Sequence, residues 1–230
     1  MNRITRLATL MAAVCLIAPL SMSSAQNSAP VVAVVAFNLH GAANDSRDFA
    51  GVGSAIGDLL AADLAANANV RLLDRAQVHR TVAIQPLSRN GMVDRGAAAS
   101  AAKLLGARHV VYGGFSADAA GNVRLDARGA DASTGAVEFT ARLQGRGDDI
   151  VALVHELATR LVAGMSLPAR AGAAGAGTAL PLSAVVSYGK ALDAVDRGDQ
   201  AQARERLGAL VRDHPGFAAA RSALAGLGGT

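Results

Sequence analysis

The sequence predicts an α/β fold: a mixed, mostly antiparallel sheet packed with helices, followed by a C-terminal α-helical hairpin. Three observations carry that expectation. Val31 to Phe37 (VVAVVAF) is β-branched and apolar on both faces, as a strand buried between two layers must be. His109 to Phe115, Val123 to Gly129 and Ala136 to Leu143 are short strand-like runs separated by turn residues, which is the pattern of an antiparallel meander. Apolar residues recur at helical spacing in further stretches, the clearest being Ile150 to Met165, with Ile150, Leu153, Val154, Leu157, Leu161, Val162 and Met165 on one face.

The elements follow in order. After the first strand, Asn38 to Ala50 reads as a loop rich in Gly, Asn and Asp. Gly51 to about Ala66 reads as a helix burying Ile56, Leu59, Leu60 and Leu64. Asn67-Ala68-Asn69 is the turn after it, because Asn tolerates the left-handed conformation that stops a helix. Val70 to Leu73 is a second strand, ending at Asp74-Arg75. Ala76 to Val82 starts a helix that Pro86 interrupts, since proline lacks the amide the helix needs. Arg95 to Leu105 is an Ala-rich helix stopping at Gly106. The turns of the meander are Ala119 to Asn122 and Ala132 to Gly135. Leu182 to Arg197 and Gln200 to Arg212 are two helices separated by Gly198-Asp199, and a third begins at Phe217.

At the amino end, Arg3 and Arg6 precede an apolar run from Leu7 to Leu20, and Ser23-Ser24-Ala25 offers small residues for cleavage. This is the pattern of a secretory signal peptide, and the run is too short to span a bilayer comfortably. The expected division is residues 1–25 signal, 26–166 an α/β domain, 167–181 a flexible linker rich in Gly and Ala, and 182–230 a helical unit. The single cysteine, Cys15, lies in the signal, so no disulfide or thiolate metal site is expected after cleavage. Nor is Cys15 placed for lipidation: Val14 precedes it and Leu16 to Leu20 continue the apolar run. Loss of Arg3 and Arg6 lowers the formal charge from +4 to +2. The arginines are scattered and do not alternate with aromatics, so no nucleic acid groove is expected. After the signal, no apolar run is long enough for a transmembrane helix.

Chemistry is sparse. Gly51, Gly53 and Gly57 open a helix between two strands, as a dinucleotide-binding turn does. However, the spacing is G-x-G-x-x-x-G, and a long loop separates the strand from Gly51, whereas a phosphate-cradling turn leaves its strand at once. Small residues that let a helix sit close to a sheet explain the glycines equally well. His155-Glu156 begins a zinc-protease pattern, but Thr159 stands where the second histidine belongs. His40, His79, His109 and His214 show no ligand spacing. Ser54 lacks the flanking glycines of a nucleophile elbow. Asp148-Asp149 suits the positive end of the helix that follows. Asp74-Arg75 is either a surface ion pair or part of an interface. No catalytic, cofactor-binding or metal-binding residue is assigned, and no cofactor is expected.

The order of the segments VVAVVAF, GVGSAIGDLLAADLAAN, VRLLDRAQ, AAKLLGARHVVYGGF, VRLDARGADASTGAVEFTARLQG and VALVHELATRLVAGM resembles the CsgG-like and TolB amino-terminal-like domains over Val31 to Met165. The resemblance implies a domain that is periplasmic or peripheral to the outer membrane, used in assembly, secretion or scaffolding without catalysis. Curli-type pores of that superfamily carry a lipid anchor and long membrane-inserting hairpins; the short turns here and the position of Cys15 depart from both, so a pore is not expected. The tail resembles one tetratricopeptide unit through Gly198-Asp199, Ala203, Leu207 and Pro215, although Tyr188 to Gly198 is longer than the usual interval. A single such unit cannot bury its own apolar faces and must pack on a neighbour. The expected function is therefore a secreted, non-enzymatic envelope protein that binds a protein partner, with Tyr188, Leu192 and Phe217 as the expected contact residues because aromatics concentrate interface energy. The alternatives are a nucleotide-binding enzyme or sensor using the Gly51–Gly57 loop, and a homo-oligomeric ring scaffold.

Overall fold

The computed structural model describes residues 29–40, 49, 51–83, 95–169 and 179–228. The expected signal segment, most of the loop after residue 40, Pro86 and the Gly/Ala stretch 170–178 lie outside the described residues. The strands are β1 (Val31–Val34), β2 (Asn38–His40), β3 (Arg71–Leu72), β4 (His109–Ala117), β5 (Asn122–Asp131) and β6 (Val137–Arg146). The helices are α1 (Val52–Asn67), α2 (Arg75–Ala83), α3 (Arg95–Leu104), α4 (Ile150–Gly164), α5 (Leu182–Asp196), α6 (Gln200–Asp213) and α7 (Ala218–Gly228).

The sheet runs β3-β1-β4-β5-β6, with β2 also on β4. The three pairings of β1 and β2 are parallel and short, while β4-β5 and β5-β6 are long antiparallel ladders. The sheet is thus mixed, and antiparallel in most of its paired length. Alternation along β1 splits the interior. Val32 and Val34 face α1 and α4, together with Val111, Phe115 and Leu125. Ala33 and Val35 face α2 and α3, with Val110 and Tyr112.

Two local readings need correction. The first strand does not run unbroken to Phe37, nor is Asn38 to Ala50 all loop. Val34 pairs with Val111 and Asn38 with Gly114, so three residues of one strand oppose two of β4. The extra residue bulges, and the Phe37 amide donates to the Gly53 carbonyl (3.0 Å) instead of to the sheet. The second correction concerns Asn67 to Asn69. The cap residue is Ala68 in an extended conformation, and it bridges to Ala169. Pairing with the far end of the domain replaces the left-handed stop.

A further bulge lies in the outermost strand. Gly129 opposes Phe139 and Ala130 opposes Val137, leaving Glu138 extra. Bulges and charged side chains on an edge discourage strand-to-strand association, and Arg142 is on this strand too.

The tail does not stand apart. Leu180, Val185, Tyr188, Leu192, Leu207 and Phe217 are buried in the same core as Ile56, Leu60 and Leu157. The neighbour that covers the helical hairpin is α1 of the same chain. Leu167, at the start of the expected linker, is buried and its amide donates to Val162 (2.9 Å). In the hairpin itself, Asp199 caps α6 by accepting from the Gln202 amide at 3.0 Å. No helix among the described residues is long and apolar enough to cross a membrane.

Candidate functional site

The glycines of the Gly51–Gly57 loop face the chain itself. Gly51 has φ +79°, in the left-handed region. A Cβ there would overlap the Gly189 carbonyl, and one on Gly189 would overlap Gly51 in return. A Cβ on Gly53 would strike the Phe37 carbonyl. The space a phosphate would need beside these backbones is occupied by α5 and by the bulge after β1. Here glycine serves close helix packing.

The same contact organises a polar clasp. Tyr188 donates its hydroxyl to Asp58 Oδ2 at 2.6 Å. Arg75 grips Asp196 with both terminal nitrogens, at 2.8 and 2.9 Å, and its Nε lies 3.9 Å from Asp58. His79 Nε2 is 3.9 Å from Asp196. Burial works against the Arg75 charge, but the hydrogen bonds and charges of Asp196 and Asp58 outweigh it and raise its pKa. Burial and the neighbouring Asp58 carboxylate push the Tyr188 hydroxyl far above its usual range, so it stays a donor. Asp74 does not pair with Arg75; it accepts the Gln77 amide at the start of α2.

Tyr188, Leu192 and Phe217, the expected contact residues, are all brought together, but inside. They are 1, 3 and 3 % exposed. The rings of Tyr188 and Phe217 lie 4.9 Å apart. The contact these side chains make in the structure is with the chain's own α1 and hairpin, so a second protein would not reach them.

Other titratable groups also tie elements together. His155 on α4 sits 3.4 Å from Asp63 on α1, and burial raises the Asp63 pKa against the lowering effect of that histidine. The buried His109 meets Glu138 of the bulge at 2.9 Å. The acids before α4 are exposed, and Asp149 makes no side-chain cap bond, leaving only the charge effect. No group of three metal-ligating side chains occurs among the described residues.

Two surfaces stand out. The first is the face of β5 and β6 opposite α4. It carries Arg124, Asp126 and Arg128 on β5 and Thr140, Arg142 and Gln144 on β6, in direct cross-strand register. Arg128, Thr140, Arg142 and Gln144 are exposed. Asp126 accepts from Arg124 (2.8 Å) and Arg142 (2.6 Å). Partial burial raises its pKa, but these two arginines more than reverse that and hold it below the ordinary value. Three guanidinium groups against one carboxylate leave the face basic.

The second is a slot between α1 and α2 at the carboxyl end of β1. Its volume is about 210 Å3. Val34, Val35, Val78 and Val82 form its apolar walls, and Ser54, Asp58, Arg75 and His79 its mouth. Neither surface was identified from sequence. The alternation of Arg124, Asp126 and Arg128 in the second meander strand was a signal for the first; the slot had none, because it depends on β3 being short.

No family model matches the chain, and no curated protein does. Among solved structures, the LpoB C-terminal domain from Salmonella enterica is similar over 52 % of this chain and 83 % of that one, at 19 % identity and a TM-score of 0.38. TolB from Acinetobacter baumannii matches over 60 % of this chain and 28 % of its own length, at 14 % identity and a TM-score of 0.39. Lipoprotein GNA1162 from Neisseria meningitidis matches over 60 % and 96 %, at 14 % identity and a TM-score of 0.38. Likenesses this distant carry no argument about function.

Proposed function

We propose that this chain is an exported, non-enzymatic protein of the cell envelope, periplasmic or peripheral to the outer membrane, that works by binding another protein. The observation that carries the reading is the uncovered basic face of β5 and β6. A surface with Arg124, Arg128 and Arg142 around a single Asp126 suits a partner with an acidic surface. The signal-like pattern of residues 1–25 supports export. The enzyme alternative loses its support where α5 and the Phe37 carbonyl fill the space beside Gly51 and Gly53.

The test is photo-crosslinking from residues 128 and 140 in the exported protein, with exposed Lys103 as the reference position. A discrete adduct from 128 and 140, lost in Arg124→Glu/Arg142→Glu, is expected. Equal crosslinking from position 103, or no effect of charge reversal, would refute the reading.

A further inference from the structure

We propose that the slot beside β1 receives an extended segment of a partner protein, with an aliphatic side chain seated in the slot and a basic side chain at its mouth. This goes beyond the reading above, which concerns the other side of the sheet. The slot exists because β3 stops early. It pairs with β1 only at Val31 and Val32, and the Leu73 amide bonded to the Val32 carbonyl (3.0 Å) is its last step. Asp74 then turns the chain into α2. β1 continues through Val34, with no β3 residue in register beside it. The Val35 amide donates to Val111 on β4, so strand alternation turns the backbone of Val34 to the opposite edge, toward the slot. An incoming strand can take up the register that β3 leaves, the mode by which extended peptides add to sheet edges.

Size and charge select the occupant. At about 210 Å3 the slot is larger than the ~150 Å3 apolar cavity that admits one benzene, and smaller than the ~300 Å3 at which small-molecule sites begin. It suits an aliphatic side chain with its backbone. Asp58 at the mouth and the more buried Asp196 flank the single guanidinium of Arg75, so two carboxylates face one guanidinium there. A lysine or arginine beside the aliphatic residue complements it.

The experiment is fluorescence anisotropy of the full chain with three labelled, end-blocked peptides: Lys-Val-Leu-Val-Lys, Glu-Val-Leu-Val-Glu and Lys-Gly-Ser-Gly-Lys. The first is expected to bind at least about tenfold more tightly than either of the others. Val78→Phe, which fills the slot, and Ser54→Phe, which closes its mouth from a half-exposed position, are each expected to abolish that preference. If Val78→Phe does not fold, Ser54→Phe decides alone. Arg128→Glu is expected to leave peptide binding unchanged, which separates this site from the basic face. Equal binding of the three peptides, no binding at all, or unchanged binding to a folded Ser54→Phe protein would overturn the proposal.

Discussion

Replacing Tyr188 by Phe removes one oxygen and little else. That hydroxyl is buried and gives its proton to Asp58 at 2.6 Å. A hydrogen bond to a charged acceptor contributes about 1.5–3 kcal/mol. Asp58 keeps Arg75 at 3.9 Å as a second partner, so the lower part of that range applies, about 1.5–2 kcal/mol. For a chain of this size each kcal/mol corresponds to about 2–4 °C, giving a fall in Tm of about 3–8 °C. Tyr188→Ala also removes the ring and its contact with Phe217, and costs about 3–5 kcal/mol. Urea denaturation measures both. Because the tail shares its core with α1 and α4, probes placed in α6 and in β5 should report one transition with one midpoint. The Asp58→Asn/Tyr188→Phe double-mutant cycle isolates the bond. A Tyr188→Phe protein within about 0.5 kcal/mol of the parent, which is the usual scatter for a neutral substitution, would refute the clasp as a stabilising device. Separate melting of α6 would refute the shared core.

Further outcomes follow from the same geometry. Arg75→Met leaves the Asp196 carboxylate, only 8 % exposed, without its bidentate partner; the expected loss is about 3 kcal/mol in the same denaturation assay. Gly189→Ala drives a methyl into the Gly51 backbone and should destabilise the chain by more than Tyr188→Phe does, whereas Gly226→Ala, in open space, should be close to neutral. The Asp126 carboxyl has a folded pKa below its ordinary value of about 3.9, so its contribution is complete above that pH and vanishes as pH falls through the lower folded value. Asp126→Asn should therefore lower stability more at pH 6 than at pH 2, as read by urea midpoints at the two pH values. Mass spectrometry of the exported protein should find its amino terminus near Gln26.

Elements were legible where their pattern is local. The stripe Ile150, Leu153, Leu157, Leu161 announces α4, and the turns around Gly121 and Gly135 announce the meander. The bulge after Val34 was not legible, because it arises from one residue of mismatch with β4, far away in sequence. Tyr188 and Phe217 were read as contact residues, with the main domain, another subunit and a partner all open as what they touch, because helical periodicity tells which face is apolar and not what covers it. The Asp58–Tyr188 and Arg75–Asp196 pairs are invisible for the same reason. The glycines at 51 and 53 were read as letting a helix sit close to a sheet, alongside the cofactor alternative; Gly53 does lie against the Phe37 carbonyl, whereas Gly51 packs against Gly189 of α5.

The clasp also bears on how the chain reaches its fold. Its two residue pairs join positions 130 and 121 apart, whereas β4, β5, β6 and α4 are neighbours in sequence. Closing a long loop costs entropy before any contact repays it, so the meander and α4 can assemble while α5 is still unattached. Groups that meet only after the rate-limiting barrier influence escape from the native state and not arrival at it. Weakening the clasp accordingly shortens the lifetime of the folded chain and leaves its rate of formation unchanged, and that lifetime governs how long the chain survives proteases.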